Sequence, residues 1–162
     1  ENAVLFDRIG NANNLGAIVR SAAFFGIKNI IIPDDEAQRS ITTSSYRVAE
    51  GGMEFVNIFS TSSSIKLLKD VEGKMVRIGT DLSARKTVSA IHGLCKSKSA
   101  LIILGNEERG ISEKVRENCD ELVIIPFLGM NEGKSSQVES LNVAQAASII
   151  LYELSKDEFY RK

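Results

Sequence analysis

The chain has 162 residues, a size that suits one domain with a sizeable buried core. Its 43% hydrophobic and 25% charged residues exclude a fibrous or disordered chain. The formal net charge of -1 excludes a protein that wraps nucleic acid over its whole surface, so any grip on RNA must be local.

The spacing of the cysteines and the shortness of the apolar runs indicate the cellular compartment of the protein. Cys95 and Cys119 lie in unrelated contexts without a metal-ligand spacing, which is typical of free thiols in a reducing compartment. No apolar run reaches the roughly 18 to 20 residues of a membrane span, and no signal peptide opens the chain. We therefore expect a cytoplasmic protein with no membrane partner and no metal site.

The first third of the chain alternates strand and helix patterns. The apolar run 4–6 predicts a strand, which a polar loop follows. Residues 15–23 place apolar side chains three and four apart, which predicts a helix that ends at Gly26. Nearly continuous β-branched residues at 27–32 predict a buried strand of a parallel sheet, stopped by Pro33.

The middle of the chain continues this alternation. The predicted elements are a short helix at 46–50, a strand at 55–59, a helix at 65–71 and a strand at 75–78. Residues 84–98 show no clear period and are predicted to be mostly loop or a short helix. The single histidine of the chain, His92, lies there, which argues against a Ser-His-Asp or Cys-His catalytic device.

The last third carries most of the candidate chemistry. The predicted elements are a strand at 100–104, a helix at 112–118, a strand at 122–125 and a helix at 141–154. Ser140 is the expected N-cap of the last helix, and an ordinary capping role would explain both Ser140 and Asn142. Strands that alternate with helices predict an α/β domain with a mostly parallel sheet, and ligands of such sheets bind beyond the strand carboxyl ends.

Three polar loops follow apolar strands and precede helices, so we expect their side chains to share one crevice. The candidate residues are Asn14, Gly16, Arg20, Gly105, Glu107, Gly129, Ser140 and Asn142. Taken singly, each has an ordinary explanation as a turn residue, a cap or a solvated charge. The loop 105–110 is not G-x-G-x-x-G, lacks a Walker lysine and carries two carboxylates, which argues against a nucleotide phosphate ligand.

Taken together, three segments in this order are similar to the motifs of a known family. They read N-L-G-A-I-V-R-S-A at 14–22, I-L-G-N-E-E-R-G-I-S at 103–112, and I-P at 125–126 with S-L-N-V at 140–143. On these residues the chain resembles the SpoU (TrmH-type) RNA methyltransferases of the SPOUT superfamily, and the match spans practically the whole sequence.

The resemblance implies a fold that the pattern alone does not predict. It implies one SpoU-type catalytic domain over residues 1–162, with a C-terminal deep trefoil knot and a homodimer formed through the knotted region. We expect the N-terminal RNA-binding domain that often accompanies this family to be absent from this chain. Connection rules alone favour an ordinary doubly wound sheet, because threaded chains are rare.

The resemblance also implies the chemistry, which is transfer of a methyl group from S-adenosylmethionine to a ribose 2'-hydroxyl of tRNA or rRNA. The implied cofactor pocket consists of Thr80, Leu104, Gly105, Ile125, Pro126 and Leu141. Arg20 is the implied catalytic activator, supported by Asn14, Glu107, Ser140 and Asn142. Because a guanidinium keeps its proton at ordinary pH, the role of Arg20 is open between proton acceptor and electrostatic organiser. Glu107 is a candidate to orient Arg20 by a charge-assisted pair, within one subunit or across the dimer.

Two departures from the family pattern and two alternatives accompany this interpretation. The segment 130–139 makes its loop about seven residues longer than the compact family version, which is expected to alter RNA access. Ala144 stands where a serine is frequent, a change that a helix interior accepts.

The alternatives are a catalytically silent RNA-binding or assembly protein, and an enzyme that methylates a base nitrogen. Retention of all five polar candidates favours a ribose methyltransferase.

Overall fold

The computed structural model describes residues 1–34, 41, 43–106, 108–127 and 140–156. The strands in these residues are β1 Ala3–Asp7, β2 Asn29–Pro33, β3 Asn57–Thr61, β4 Val76–Thr80, β5 Lys86–Thr87, β6 Ala100–Gly105 and β7 Glu121–Ile124. The α-helices are α1 Ala12–Phe24, α2 Thr43–Ala49, α3 Ser64–Asp70, α4 Ile91–Leu94, α5 Glu113–Arg116 and α6 Val143–Ser155. Two short 3-10 helices span Gly52–Glu54 and Val88–Ala90.

The seven described strands form one sheet in the order β3-β2-β1-β6-β4-β7-β5, and every neighbouring pair runs parallel. The central strands β1 and β6 are buried along their whole length. Their near-continuous apolar sequence is what a parallel strand needs when helices cover both faces. The predicted α/β class with a parallel sheet is therefore confirmed.

Side chains of the central strands alternate between two cores. On one face, Phe6 and Leu104 pack in a core that includes residues of α1 and α6. On the other face, Leu5 and Ile103 pack in a second core that includes residues of α3 and α5. This alternation follows from the period of two in a strand, and it makes the domain a three-layer α/β/α sandwich.

Several predicted boundaries differ from the structure, most clearly at the third strand and in the stretch 84–98. The third strand is Asn57–Thr61 instead of 55–59, because the Phe55 N–H donates to the Gly52 carbonyl at 3.1 Å and extends the preceding 3-10 turn. The stretch 84–98, predicted as mostly loop or a short helix, holds β5, a 3-10 helix and α4. Elements of two to four residues are too short to leave a readable hydrophobic period.

The position of β7 is the unusual feature of the sheet. It lies between β4 and β5, although these two strands are consecutive in the chain. Thr80 and Lys86 pair with opposite edges of β7 at the same residue, Val123, so the connection 81–85 crosses that strand. Such a crossing is the arrangement that threading of the C-terminal segment requires, and the knot itself stays a prediction.

The last helix, α6, packs against α1. The hydroxyl groups of Ser21 and Ser148 share a hydrogen bond at 2.8 Å, and the rings of Phe25 and Tyr152 meet with centroids 6.2 Å apart. These contacts bring the first and the last of the three family-like segments, 14–22 and 140–143, to one side of the sheet. None of the helices in the described part of the chain has the length and apolarity of a membrane span.

Candidate active site

A cavity of about 320 Å³ opens beyond the carboxyl ends of β4, β6 and β7. Its wall includes all six residues predicted to hold a cofactor, which are Thr80, Leu104, Gly105, Ile125, Pro126 and Leu141. Ser140, predicted as a catalytic residue, also lines it. The cavity thus forms where parallel sheets ordinarily bind ligands, because three strand ends and the start of α6 converge there.

Gly105 shapes one side of the cavity. A methyl group added at this position would lie 2.3 Å from the Gly110 carbonyl carbon and from the Ile111 nitrogen, so only glycine fits. Asn106 and Gly110 exchange two backbone hydrogen bonds of 3.1 and 2.8 Å. The Asn106 side chain also accepts a hydrogen bond from the Glu108 N–H at 3.0 Å. The loop after β6 is therefore a tight turn pressed against the end of its own strand.

Asp81 is a cavity residue that the sequence patterns did not single out. It follows the last residue of β4 and is only 8% exposed. Its carboxylate accepts a hydrogen bond from the Ser83 N–H at 2.8 Å and forms an ion pair with Arg116. Its N–H donates to the Val123 carbonyl at 3.0 Å. Because Asp81 fastens the start of the connection that crosses β7, it holds one wall of the cavity in place.

Asn14 and Asn142 contact each other, although 128 positions separate them in the sequence. The Asn142 side-chain amide donates to the Asn14 side-chain oxygen at 3.2 Å. The Asn142 oxygen accepts from the Ala144 N–H at 2.8 Å and caps α6. This pair therefore joins the first turn of α1 to the first turn of α6.

The expectation that Ser140 caps the last helix is wrong. The helix begins at Val143 instead of 141, and Asn142 is its N-cap. A capping side chain must accept from an N–H two or three positions ahead, which Asn142 does and which places Ser140 too early. Ser140 instead lies at the cavity.

Arg20 does not line the cavity. Its Nη1 atom lies 3.0 Å from a carboxylate oxygen of Glu50, and the two side chains are 59% and 64% exposed. Arg20 is six positions after Asn14 on α1, which corresponds to about 9 Å along the helix axis. The predicted partner, Glu107, lies outside the described residues. Within the described part of the chain, the carboxylate beside Arg20 is Glu50, which the sequence patterns did not indicate.

The predicted site residues thus fall into three groups in the structure. The cofactor candidates and Ser140 share the cavity, Asn14 and Asn142 form a hydrogen-bonded pair, and Arg20 stands on the surface of α1. Residues 1–152 match the SpoU rRNA Methylase family.

The chain belongs to this family.

Curated relatives share this SpoU domain over most of the present sequence. A protein of Mycobacterium avium (strain 104) is 34% identical over 154 residues, covering 94% of this chain and 46% of the relative. A protein of Mycobacterium tuberculosis (strain ATCC 25177 / H37Ra) is 32% identical, with coverage of 94% and 44%. Both are named uncharacterized tRNA/rRNA methyltransferases. The chain spans about half the length of the curated relatives it matches.

Solved SpoU structures have the same architecture. The SpoU methyltransferase AviRb of Streptomyces viridochromogenes superposes with a TM-score of 0.80 at 28% identity, covering 99% of this chain and 60% of AviRb. A second AviRb structure, in complex with the cofactor AdoMet, has a TM-score of 0.78 at 28% identity, with coverage of 98% and 60%. The A. aeolicus TrmH/SpoU tRNA modifying enzyme has a TM-score of 0.81, covering 98% of this chain and 76% of that enzyme. Because the two sequences are only 24% identical, this likeness supports the fold alone.

Proposed function

We propose that this chain is the catalytic domain of an S-adenosylmethionine-dependent methyltransferase that modifies a ribose 2'-hydroxyl of tRNA or rRNA in the cytoplasm. The observation that carries the proposal is the convergence of the second and third family segments on one cavity at the carboxyl edge of the sheet. The names of the mycobacterial relatives and the AdoMet complex of AviRb support it.

The cavity fits the proposed cofactor in size and in chemistry. Its volume of about 320 Å³ falls in the range of small-molecule sites, roughly 300 to 1,000 Å³. Leu104, Ile125 and Leu141 would supply apolar walls for the cofactor, and the main chain at Gly105 and Pro126 would supply polar groups. S-adenosylmethionine, when bound, supplies a methyl group activated by the positive charge on its sulfur.

In the proposed reaction, Arg20 contacts the RNA. A ribose hydroxyl is a weak nucleophile, so its alignment and the stabilisation of negative charge on its oxygen matter most. A guanidinium that keeps its proton suits the binding of the neighbouring phosphate and the stabilisation of that charge. We therefore assign Arg20 the role of electrostatic organiser, with the proton of the 2'-hydroxyl leaving to solvent water as the oxygen–methyl bond forms and the carbon–sulfur bond breaks.

Asn14, Asn142, Ser140 and Glu107 complete the proposed machinery. The hydrogen bond between Asn14 and Asn142 fixes α1, which carries Arg20, relative to the residues that precede α6. Ser140 lies at the cavity edge, where its hydroxyl can contact the cofactor or the ribose. Glu107 belongs to the loop beside Gly105, and its place among the supporting residues is part of the proposal.

The position of Arg20 outside the cavity favours a homodimer. Large apolar side chains are exposed on the same two helices: Phe24 on α1 is 82% exposed, and Tyr152 on α6 is 52% exposed. Phe25 links them, with ring centroids 5.1 Å from Phe24 and 6.2 Å from Tyr152. Contiguous exposed apolar surface is typical of an interaction site. We propose that two copies join through this face in the knotted region and that Arg20 of one copy serves the cavity of the other.

The test is product analysis with tRNA and rRNA pools and methyl-labelled S-adenosylmethionine. Ribose methylation blocks alkaline cleavage of the adjacent phosphodiester, so label in alkali-resistant dinucleotides is the expected result. Label in alkali-sensitive mononucleotides would indicate base methylation, and RNA binding without transfer would indicate a silent RNA-binding protein. Light scattering of the same preparation should give the mass of a dimer.

Two variants separate the cofactor site from the RNA site. Leu141→Arg fills the cavity and should abolish binding of S-adenosylhomocysteine in calorimetry while leaving the fold intact, because Leu141 is already 41% exposed. Phe59→Arg, on the edge strand β3, is the matched control and should bind normally. Arg20→Ala should bind S-adenosylhomocysteine normally but lose nearly all methyl transfer to RNA. Normal turnover of Arg20→Ala would contradict the assignment of Arg20.

A further inference from the structure

The ion pair between Arg20 and Glu50 is formed by two side chains that are mostly exposed to solvent. An exposed pair of this kind contributes little to stability, because water screens the charges and two long side chains lose freedom. Only the Nη1 atom of Arg20 takes part in it within the described residues, at 3.0 Å. The remaining N–H groups of the guanidinium fork are then available to a phosphate or a ribose oxygen.

The backbone at Glu50 adds a second observation. Glu50 has a φ of 46° and Gly51 a φ of 82°, so both residues adopt the left-handed conformation. A residue with a Cβ atom adopts this conformation at an energetic cost, and glycine or asparagine is the usual choice. This backbone conformation makes Glu50 a candidate for a functional role, and its contact with Arg20 names the partner.

Tight packing holds this turn against α1. A methyl group added at Gly52 would lie 3.2 Å from the Arg20 Cα atom, closer than ordinary contact. One at Gly16, a turn earlier on α1, would lie 2.4 Å from the Ser45 carbonyl oxygen of α2. Gly16 thus lets α2 approach α1, and Gly52 lets the turn after α2 approach Arg20. These two close contacts fix the Glu50 backbone relative to Arg20.

We infer that Glu50 is a positioning residue for Arg20, which orients the guanidinium toward the ribose and phosphate of the substrate RNA. The inference rests on the proposed function, in which Arg20 contacts RNA. The contact with Glu50 holds the Arg20 side chain in one orientation before RNA binds. Less side-chain freedom is then lost on binding. Glu50 acts through Arg20 and has no other part in the reaction.

The kinetic test uses three substitutions at Glu50 and one control. Glu50→Ala should lower kcat for RNA methylation by about 2- to 5-fold, the limit set by the strength of an exposed ion pair, with an unchanged KM for S-adenosylmethionine. Glu50→Gln should recover part of the rate, because its amide oxygen still accepts from Arg20. Glu54→Gln, in the neighbouring 3-10 helix, should keep the full rate.

Glu50→Gly separates positioning from a structural role. Glycine adopts the left-handed conformation freely, so this variant should unfold at or near the wild-type temperature and still show the rate loss of Glu50→Ala. A purely structural role predicts the opposite, with a normal rate whenever stability is normal. In addition, Arg20→Ala combined with Glu50→Ala should be no slower than Arg20→Ala alone, because Glu50 acts only through Arg20.

A measurement without RNA keeps the inference falsifiable by itself. Nitrogen-15 relaxation of the Arg20 Nε–H group should show a restricted side chain in the wild type and a mobile one in Glu50→Ala. Equal mobility in the two proteins, or a full rate in Glu50→Ala, would overturn the role of Glu50 while the proposed function stands. Full activity of Arg20→Ala would instead overturn the role assigned to Arg20, whatever the relaxation result.

Discussion

Substitution of Gly105 by alanine tests the link between the turn after β6 and the cavity. The added Cβ atom would lie 2.3 Å from two main-chain atoms of Gly110 and Ile111, and ordinary contact begins at 3.4 Å. The obstacle is backbone, so the turn must move by about 1 Å, which by analogy with overpacked cores costs about 1 to 3 kcal/mol. For a domain of this size that corresponds to a fall in Tm of about 2 to 12 °C.

The same displacement changes the cavity, because Gly105, Asn106 and Gly110 all line it. We expect Gly105→Ala to weaken binding of S-adenosylhomocysteine at least tenfold, equivalent to about 1.4 kcal/mol, in a calorimetric titration. Gly10→Ala is the matched control, since a methyl group there meets nothing within 4 Å and should leave both Tm and affinity unchanged. If Gly105→Ala bound like the control and melted at the same temperature, the turn would not be the rigid cavity wall inferred from its geometry.

Two further predictions concern Asn142 and the partly buried ion pair between Arg77 and Asp120. Asn142→Ala removes the cap of α6 and should lower the free energy of unfolding by about 1 kcal/mol in thermal denaturation. Asn142→Asp keeps the oxygen that accepts from the Ala144 N–H but loses the N–H that donates to Asn14. This variant should melt at the normal temperature and show reduced turnover. Arg77 is 5% exposed and is paired with Asp120, which is 37% exposed, so Asp120→Asn should cost about 2 kcal/mol at pH 7, less than a fully buried pair. Hydrogen bonding from Arg77 holds the pKa of Asp120 below its usual value, so this contribution is present above the unfolded value near pH 4. It should be lost as the pH falls through the lower folded value, and urea titrations from pH 7 to 2 should therefore show the two proteins converge; a constant difference would refute the pairing.

Much of the fold follows from local sequence because burial leaves a direct pattern. The strand at 100–104 is apolar at every position and forms the central β6, buried on both faces. The stripe over 15–23 lies within α1, whose buried residues include Leu15, Ile18 and Ala22. Such patterns report which surface is covered, and in this chain they were sufficient to predict the α/β class with a parallel sheet.

The cavity was also accessible from sequence, with the help of the family resemblance. Its six predicted residues lie at or just after the ends of three strands or precede α6, and the carboxyl ends of parallel strands meet at one edge. Asp81 was missed although it follows β4 directly, because a single acid after a strand is also an ordinary turn residue. Its burial and its partner Arg116 become visible only once β4 and α5 are placed side by side.

Local sequence patterns predicted the alternation of the longer strands and helices, and the family resemblance identified the loops that carry the motifs. Only the folded chain shows that β7 inserts between β4 and β5, that Asn142 meets Asn14, and that Glu50 is the described carboxylate that faces Arg20. The physical reason is the range of each interaction. Burial and helix periodicity act within a few residues, whereas a strand insertion or an ion pair depends on where the chain returns after a long excursion, which no local pattern records.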